Sequence, residues 1–130
     1  MQFNLFLYEG LVFSETATKF LIKSKSGETV IMDNHIPIVL SALEATLVLY
    51  LKNSQKVFIC LERGIIEFKN NTAKVLASLA VIKDDEKTAQ VAFLDAKNVA
   101  LNNAKKENNE FTILEKKLKD QIHLTKAGSL

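Results

Sequence analysis

One cysteine, one proline, one arginine and two histidines are all that the 130 residues hold of those types. Cys60, being alone, cannot form an intrachain disulfide, so the fold must rest on packing and the chain suits a reducing compartment. The thiol reads as a buried structural group. His35 and His123 have no cysteine, histidine or carboxylate at ligand spacing around them, so no metal site and no catalytic role is expected for either. Arg63 is the only arginine among 17 basic side chains, and arginine is the residue that grips phosphates and carboxylates bidentately. A net charge of +2 is too small for the field a nucleic-acid binder directs at phosphates, so no nucleic-acid partner is expected. The longest apolar stretch, 36–51, is interrupted by Glu44 and falls short of the roughly 18 to 20 apolar residues that cross a bilayer. Direct membrane insertion is therefore not expected. The opening "MQFNLFLYEG" lacks the positive start and cleavage site of a signal peptide and reads as a strand.

What the chain does contain is 48% hydrophobic and 25% charged, enough for one core of about 80 residues and an appendage. From residue 2 to about 82 apolar residues recur mostly at every second position, as half-buried strands require. Phe3, Leu5 and Leu7 make one such face. Further β-rich runs cover 17–24, 28–32, 38–43, 46–51, 56–61, 65–69 and 73–80, parted by turn-forming "EG", "KSG", "DNH", "KNSQ" and "KNNT". Gly64 inside such a pattern marks a bulge or a close backbone approach.

At Lys83 the period changes. "KDDEK" places carboxylates at the positive end of a helix dipole. Ala92, Ala96, Ala100 and Ala104 then fall four apart beside Ala89 and Phe93. Lys105 and Lys106 suit the helix's negative end, and "ENNE" offers a turn. A second helix over 110–126 carries Phe111, Leu114, Leu118, Ile122 and Thr125 on one side. The expected fold is α+β: an antiparallel β-sandwich or flattened barrel over 1–83, then an antiparallel helical hairpin over 84–130. The small side chains of the alanine stripe leave little area to bury, so the hairpin needs a neighbouring surface, either the sandwich or another subunit.

This organisation resembles the epsilon subunit of F-type ATP synthase along essentially the whole chain. In that family a loop of the form Gly-Glu-x-Gly-x-x-Pro-Gly-His-x-Pro follows the second strand. Here Gly27, Glu28, His35 and Pro37 keep that register, while Asp33 and Asn34 replace the Pro-Gly pair. Asn34 tolerates the left-handed conformation, so a turn is still expected. A second block resembles Ser-Gly-Gly-x-x-Glu-Val and a strand ending Val-Leu-Ala-Asp; here it runs Leu61-Glu62-Arg63-Gly64-Ile65-Ile66-Glu67-Phe68, then Val75-Leu76-Ala77-Ser78.

The resemblance implies a non-catalytic rotor subunit, peripheral on the cytoplasmic face of the membrane, whose sandwich binds the gamma subunit. It implies that Glu28, Asp33, Asn34, His35 and Pro37 form a loop end docking on the membrane rotor ring or the stalk. It also implies that the hairpin folds against the sandwich or extends to the catalytic alpha/beta hexamer and blocks rotation. Lys116, Lys119, His123 and Lys126, spaced three, four and three apart, form one cationic stripe; it is either a solvated face or the contact with acidic residues of that hexamer. Relatives that bind ATP on the hairpin carry Ile-Asp-x-x-Arg-Ala. Neither Glu86-Lys87-Thr88-Ala89-Gln90-Val91 nor Leu94-Asp95-Ala96-Lys97-Asn98-Val99 has the arginine, so no cofactor is expected.

Two other readings stand beside this one. The altered "DNH" turn also suits an epsilon-like subunit of a divergent rotary ATPase that lacks an ordinary membrane ring. A small sandwich enzyme using Cys60 and His35 is the alternative from another class.

Overall fold

The computed structural model describes residues 1–103. Seven strands come first: β1 Gln2–Leu7, β2 Gly10–Ser24, β3 Gly27–Met32, β4 Ile38–Leu51, β5 Lys56–Lys69, β6 Thr72–Ala77 and β7 Ala80–Lys83. A helix, α1, follows over 86–103. The expected helix at 110–126, with the apolar and cationic stripes assigned to it, lies outside the described residues.

The period-2 pattern works as strand geometry demands. In β1, Phe3 and Leu5 are fully buried while Gln2 is exposed and Asn4 half-buried, because successive side chains leave opposite faces of the pleat. Phe20, Leu47, Leu49, Ile59, Leu61, Ile66, Phe68 and Val75 join them in one core, where Phe3 meets Phe20 edge-on at 5.3 Å between ring centres.

Strand order is β1-β6-β5-β4-β2-β3, and β1 pairs β2 as well. The path β1-β6-β5-β4-β2 thus returns on itself as a closed ring, with β3 attached to β2 and β7 to β5. Closure removes most of the unpaired edge that an open sheet exposes. The flattened-barrel expectation holds, with one departure: β1 runs parallel to β6.

The strand count per segment also differs from the sequence reading. Runs expected as separate strands at 38–43 and 46–51 form the single β4, and those at 56–61 and 65–69 form the single β5. The reason lies at one level of the ladder. In β4 the inward positions are Ile38, Leu40 and Ala42, then Ala45, Leu47 and Leu49; in β5 they are Val57, Ile59 and Leu61, then Ile66 and Phe68. Each strand shifts its inward phase once, and the two shifts face each other, since Leu43 pairs Arg63 and Ala42 pairs Gly64. Glu44 takes a left-handed φ of 48° there, and a Cβ on Gly64 would sit 3.1 Å from Leu61 Cδ1 and 3.3 Å from the Leu76 carbonyl. At this level both strands exchange the set of alternate positions that faces the core. The expected strand 73–80 is instead two pieces, β6 and β7, which both pair β5. Ser78 and Leu79 bridge them by bonds from Ser78 N–H to Arg63 O (3.0 Å) and from Glu62 N–H to Leu79 O (3.1 Å).

α1 begins where Asp85 accepts hydrogen bonds from Thr88 N–H (3.0 Å) and Thr88 Oγ1 (3.1 Å). This caps donors that the first helical turn cannot satisfy internally. These two bonds hold the Asp85 carboxyl below its ordinary pKa. Met1–Asp95 is one compact unit, so the first turns of α1 belong with the strands. Ala89 and Phe93, four apart and on one face, bury themselves with Cys60 against Phe58, Leu79 and Val81. Lys23 reaches Glu86 at 3.9 Å.

Candidate functional site

The loop 33–37 is built by a turn. His35 N–H donates to Met32 O at 3.2 Å, and Asn34, third in the turn, has a φ of 61°. Asparagine tolerates that conformation through its short polar side chain, so the turn survives without the Pro-Gly pair. Three neighbours fix it. Asn34 N–H donates to Asn71 Oδ1 at 2.8 Å, and Asn71 O accepts from Gln2 N–H at 3.1 Å. One residue of the β5–β6 turn therefore ties the loop to the start of β1. Asp33 accepts from the Met1 α-amino group, which also donates to Ala17 O. Half-buried His35 turns its ring edge-on to Phe68 at 6.0 Å, with Nδ1 2.7 Å from Ile36 O. Ile36 is left 74% exposed at the tip. Pro37, which has no N–H to give a ladder, precedes the first residue of β4.

Asp33, Asn34, His35 and Pro37 are thus brought together. Glu28 is not with them. It pairs with Lys23 near the β2–β3 tip, where Ser24 faces Gly27. Five residues of strand at about 3.3 Å each put Glu28 roughly 16 Å from Asp33 along β3. Lys116, Lys119, His123 and Lys126 lie outside the described residues.

Cys60 and His35 are not brought together either. Cys60 lies 2% exposed under α1, with Thr46 Oγ1 3.7 Å from its sulfur. Burial, above all, pushes its pKa up, Glu86 adds to this, and the Thr46 contact opposes both. Such a thiol is scarcely ionised near neutrality, the reverse of what a nucleophile needs. Among the described residues no group of three or more histidines, cysteines or carboxylates is placed to hold a metal ion. None of their helices is long and apolar enough to cross a membrane.

A larger surface escaped the sequence reading. On the outer face of the layer containing β1 and β6, Ile65 pairs Leu76, Leu76 pairs Phe6 and Phe6 pairs Leu11. These residues form one apolar row across β5, β6, β1 and β2. Ile65 and Leu76 are 51% and 49% exposed, and Leu43 and Tyr8 beside them more so. An open groove of about 600 Å³ runs along this row. The signal was present in the consecutive "GII" of β5: a strand with adjacent large apolar residues is apolar on both faces.

Residues 1–83 match the family described as ATP synthase, Delta/Epsilon chain, beta-sandwich domain. The chain belongs to this family. Relatives named ATP synthase epsilon chain include one from Ligilactobacillus salivarius, 30% identical over 85% of this chain and 80% of its own length. Another, from Levilactobacillus brevis, is 31% identical over 59% of this chain and 55% of its own. A third, from Lactiplantibacillus plantarum, is 30% identical over 59% and 56%. The match therefore spans a little over half the length of two of these relatives and four-fifths of the third.

Solved structures share the family's fold. A chain of the Euglena gracilis mitochondrial ATP synthase (OSCP/F1/c-ring in rotational state 1) aligns with a TM-score of 0.57 at 15% identity, over 74% of this chain and 62% of its own. A chain of the Tetrahymena thermophila mitochondrial ATP synthase central stalk and c-ring aligns at 0.51 and 12%, over 62% and 65%.

Proposed function

We propose that this chain is the non-catalytic epsilon subunit of a rotary ATP synthase, a peripheral part of the central stalk on the cytoplasmic face of the membrane. Its β unit docks on the gamma subunit and turns with it. Family membership supports the subunit assignment, and the curated relatives carry the epsilon-chain name. The observation that carries the docking role is the apolar row Ile65–Leu76–Phe6–Leu11. A contiguous apolar surface on a small soluble unit marks a binding face, and a rotor part needs a rigid one. The row sits on strands of a closed ring, so its side chains are pre-positioned and lose little freedom on association.

The loop 33–37 is the contact to the membrane rotor ring or to the foot of the stalk. In support, it is held on three sides and still exposes Ile36. Glu28 contributes from a separate point, about one strand length away. The segment beyond residue 103 restrains ATP hydrolysis by reaching the alpha/beta hexamer, with Lys116, Lys119, His123 and Lys126 meeting acidic residues there. Each exposed pair contributes under about 1 kcal/mol, so the restraint is collective and weakens with salt.

Two experiments test this. In a pull-down on immobilised gamma, Ile65→Asp with Leu76→Asp abolishes retention; undiminished retention of a folded double variant refutes the docking face. Changing Lys116, Lys119 and Lys126 to Glu releases ATPase inhibition in the reconstituted complex; unchanged inhibition refutes the brake.

A further inference from the structure

The groove along the apolar row holds one charged side chain. Its wall includes Tyr8, Leu43, Gly64, Ile65 and Leu76, and the only ionisable group of either sign besides the Tyr8 phenol is Arg63. Arg63 also lines a second cleft of about 480 Å³ on its other side, together with Lys25, Glu44 and Glu62. Ion pairs join Lys25 to Glu44, Lys23 to Glu86, Lys69 to Glu67 and Met1 to Asp33. None engages Arg63. Its backbone is fixed, because the Arg63 carbonyl accepts from Ser78 N–H at 3.0 Å while the residue pairs with Leu43 across the ladder. Its side chain is exposed. A planar guanidinium with five donors therefore stands at the rim of an apolar trough that contains no carboxylate to fill it.

From this we infer that the gamma segment seated in the groove carries an aspartate or glutamate beside its apolar anchor, and that Arg63 grips this carboxylate bidentately. The apolar anchors supply most of the affinity, and the single charge sets which segment fits and in which register, because an apolar groove alone discriminates poorly between greasy partners. Lysine would supply the charge without the fork. The inference rests on the reading of this face as the gamma-binding one.

The test measures the affinity of the full chain for purified gamma at low and at moderate salt, for the wild type and for Arg63→Glu, Arg63→Lys and Ile65→Asp. Arg63→Glu should weaken binding by about tenfold or more and flatten its salt dependence, and Arg63→Lys should weaken it severalfold. Thermal melting should not move for either, since the side chain is exposed. If Ile65→Asp loses binding while both Arg63 variants bind as the wild type with an unchanged salt response, the carboxylate is refuted and the docking face stands. If Ile65→Asp also binds normally, the docking face itself is refuted, and the inference with it.

Discussion

Truncating Phe93 should open the seat of α1 without touching the barrel, and Cys60 reports it. Phe93 is 9% exposed and packs with Ala89 over the 2%-exposed Cys60. Phe93→Ala removes nearly the whole contact of the ring with Phe58, Leu79 and Val81. A fully enclosed phenylalanine costs about 3–5 kcal/mol on truncation, and this site, open along one side of a surface helix, should cost about 2–3 kcal/mol. Because α1 is what covers the thiol, that loss falls on the local opening that exposes Cys60. At 1.36 kcal/mol per tenfold, the open population rises about 30- to 150-fold. The assay is alkylation of Cys60 at pH 8, followed by mass spectrometry. The wild type should react slowly, for the thiol is covered and its pKa is raised by burial. Phe93→Ala should react faster by the factor given, and Phe93→Leu should lie near the wild type. If native Cys60 alkylates as fast as in urea, or if Phe93→Ala leaves the rate unchanged, the argument that α1 shelters the thiol is wrong.

Three further outcomes are expected. Asp85 has a depressed pKa in the folded chain, so its stabilisation of the α1 start is fully present above its ordinary value near 3.9 and lost as pH falls through the lower folded value. Protection of the first α1 amides, taken relative to the intrinsic exchange rate at each pH, should fall in that acid window, and Asp85→Ala should show low protection at pH 7 and remove the dependence. Gly64→Ala forces a Cβ against Leu61 and the Leu76 carbonyl and should destabilise by about 1–3 kcal/mol in urea unfolding; an unchanged midpoint would show that the position has room. Asn71→Ala removes the acceptor for Asn34 N–H and, at a φ of 52°, replaces a residue whose short polar side chain favours the left-handed conformation by one that lacks it. It should cost about 1–2 kcal/mol and speed exchange of the Asn34 amide.

Most of the apolar faces that look inward are legible, because inward burial leaves a period; the first half of β2, where Phe13 packs on the core, and Ile82 of β7 fall outside the expected runs. The sequence reading broke β4 and β5 in two at the level where each shifts phase, since a phase shift inside one strand and a gap between two strands leave the same trace. Pairing partners were not legible. Nothing in Gln2–Leu7 announces that Thr72–Ala77 will lie parallel to it. The loop residues from Asp33 to Pro37 were found through their resemblance to a family motif, yet what fixes the loop, Asn71, comes from a turn 34 or more residues away. The same motif joins Glu28 to that loop, although β3, which begins at Gly27, holds the two apart. The apolar row was missed for a related reason: its four members come from four strands, and only cross-strand register aligns them.

That alignment has a consequence for biosynthesis. Phe6 and Leu76 stand next to each other only after the earliest strand has accepted one of the latest, some seventy residues downstream. A nascent or truncated polypeptide therefore cannot present the finished row, and the docking proposed for it is reserved for molecules that have completed their ring.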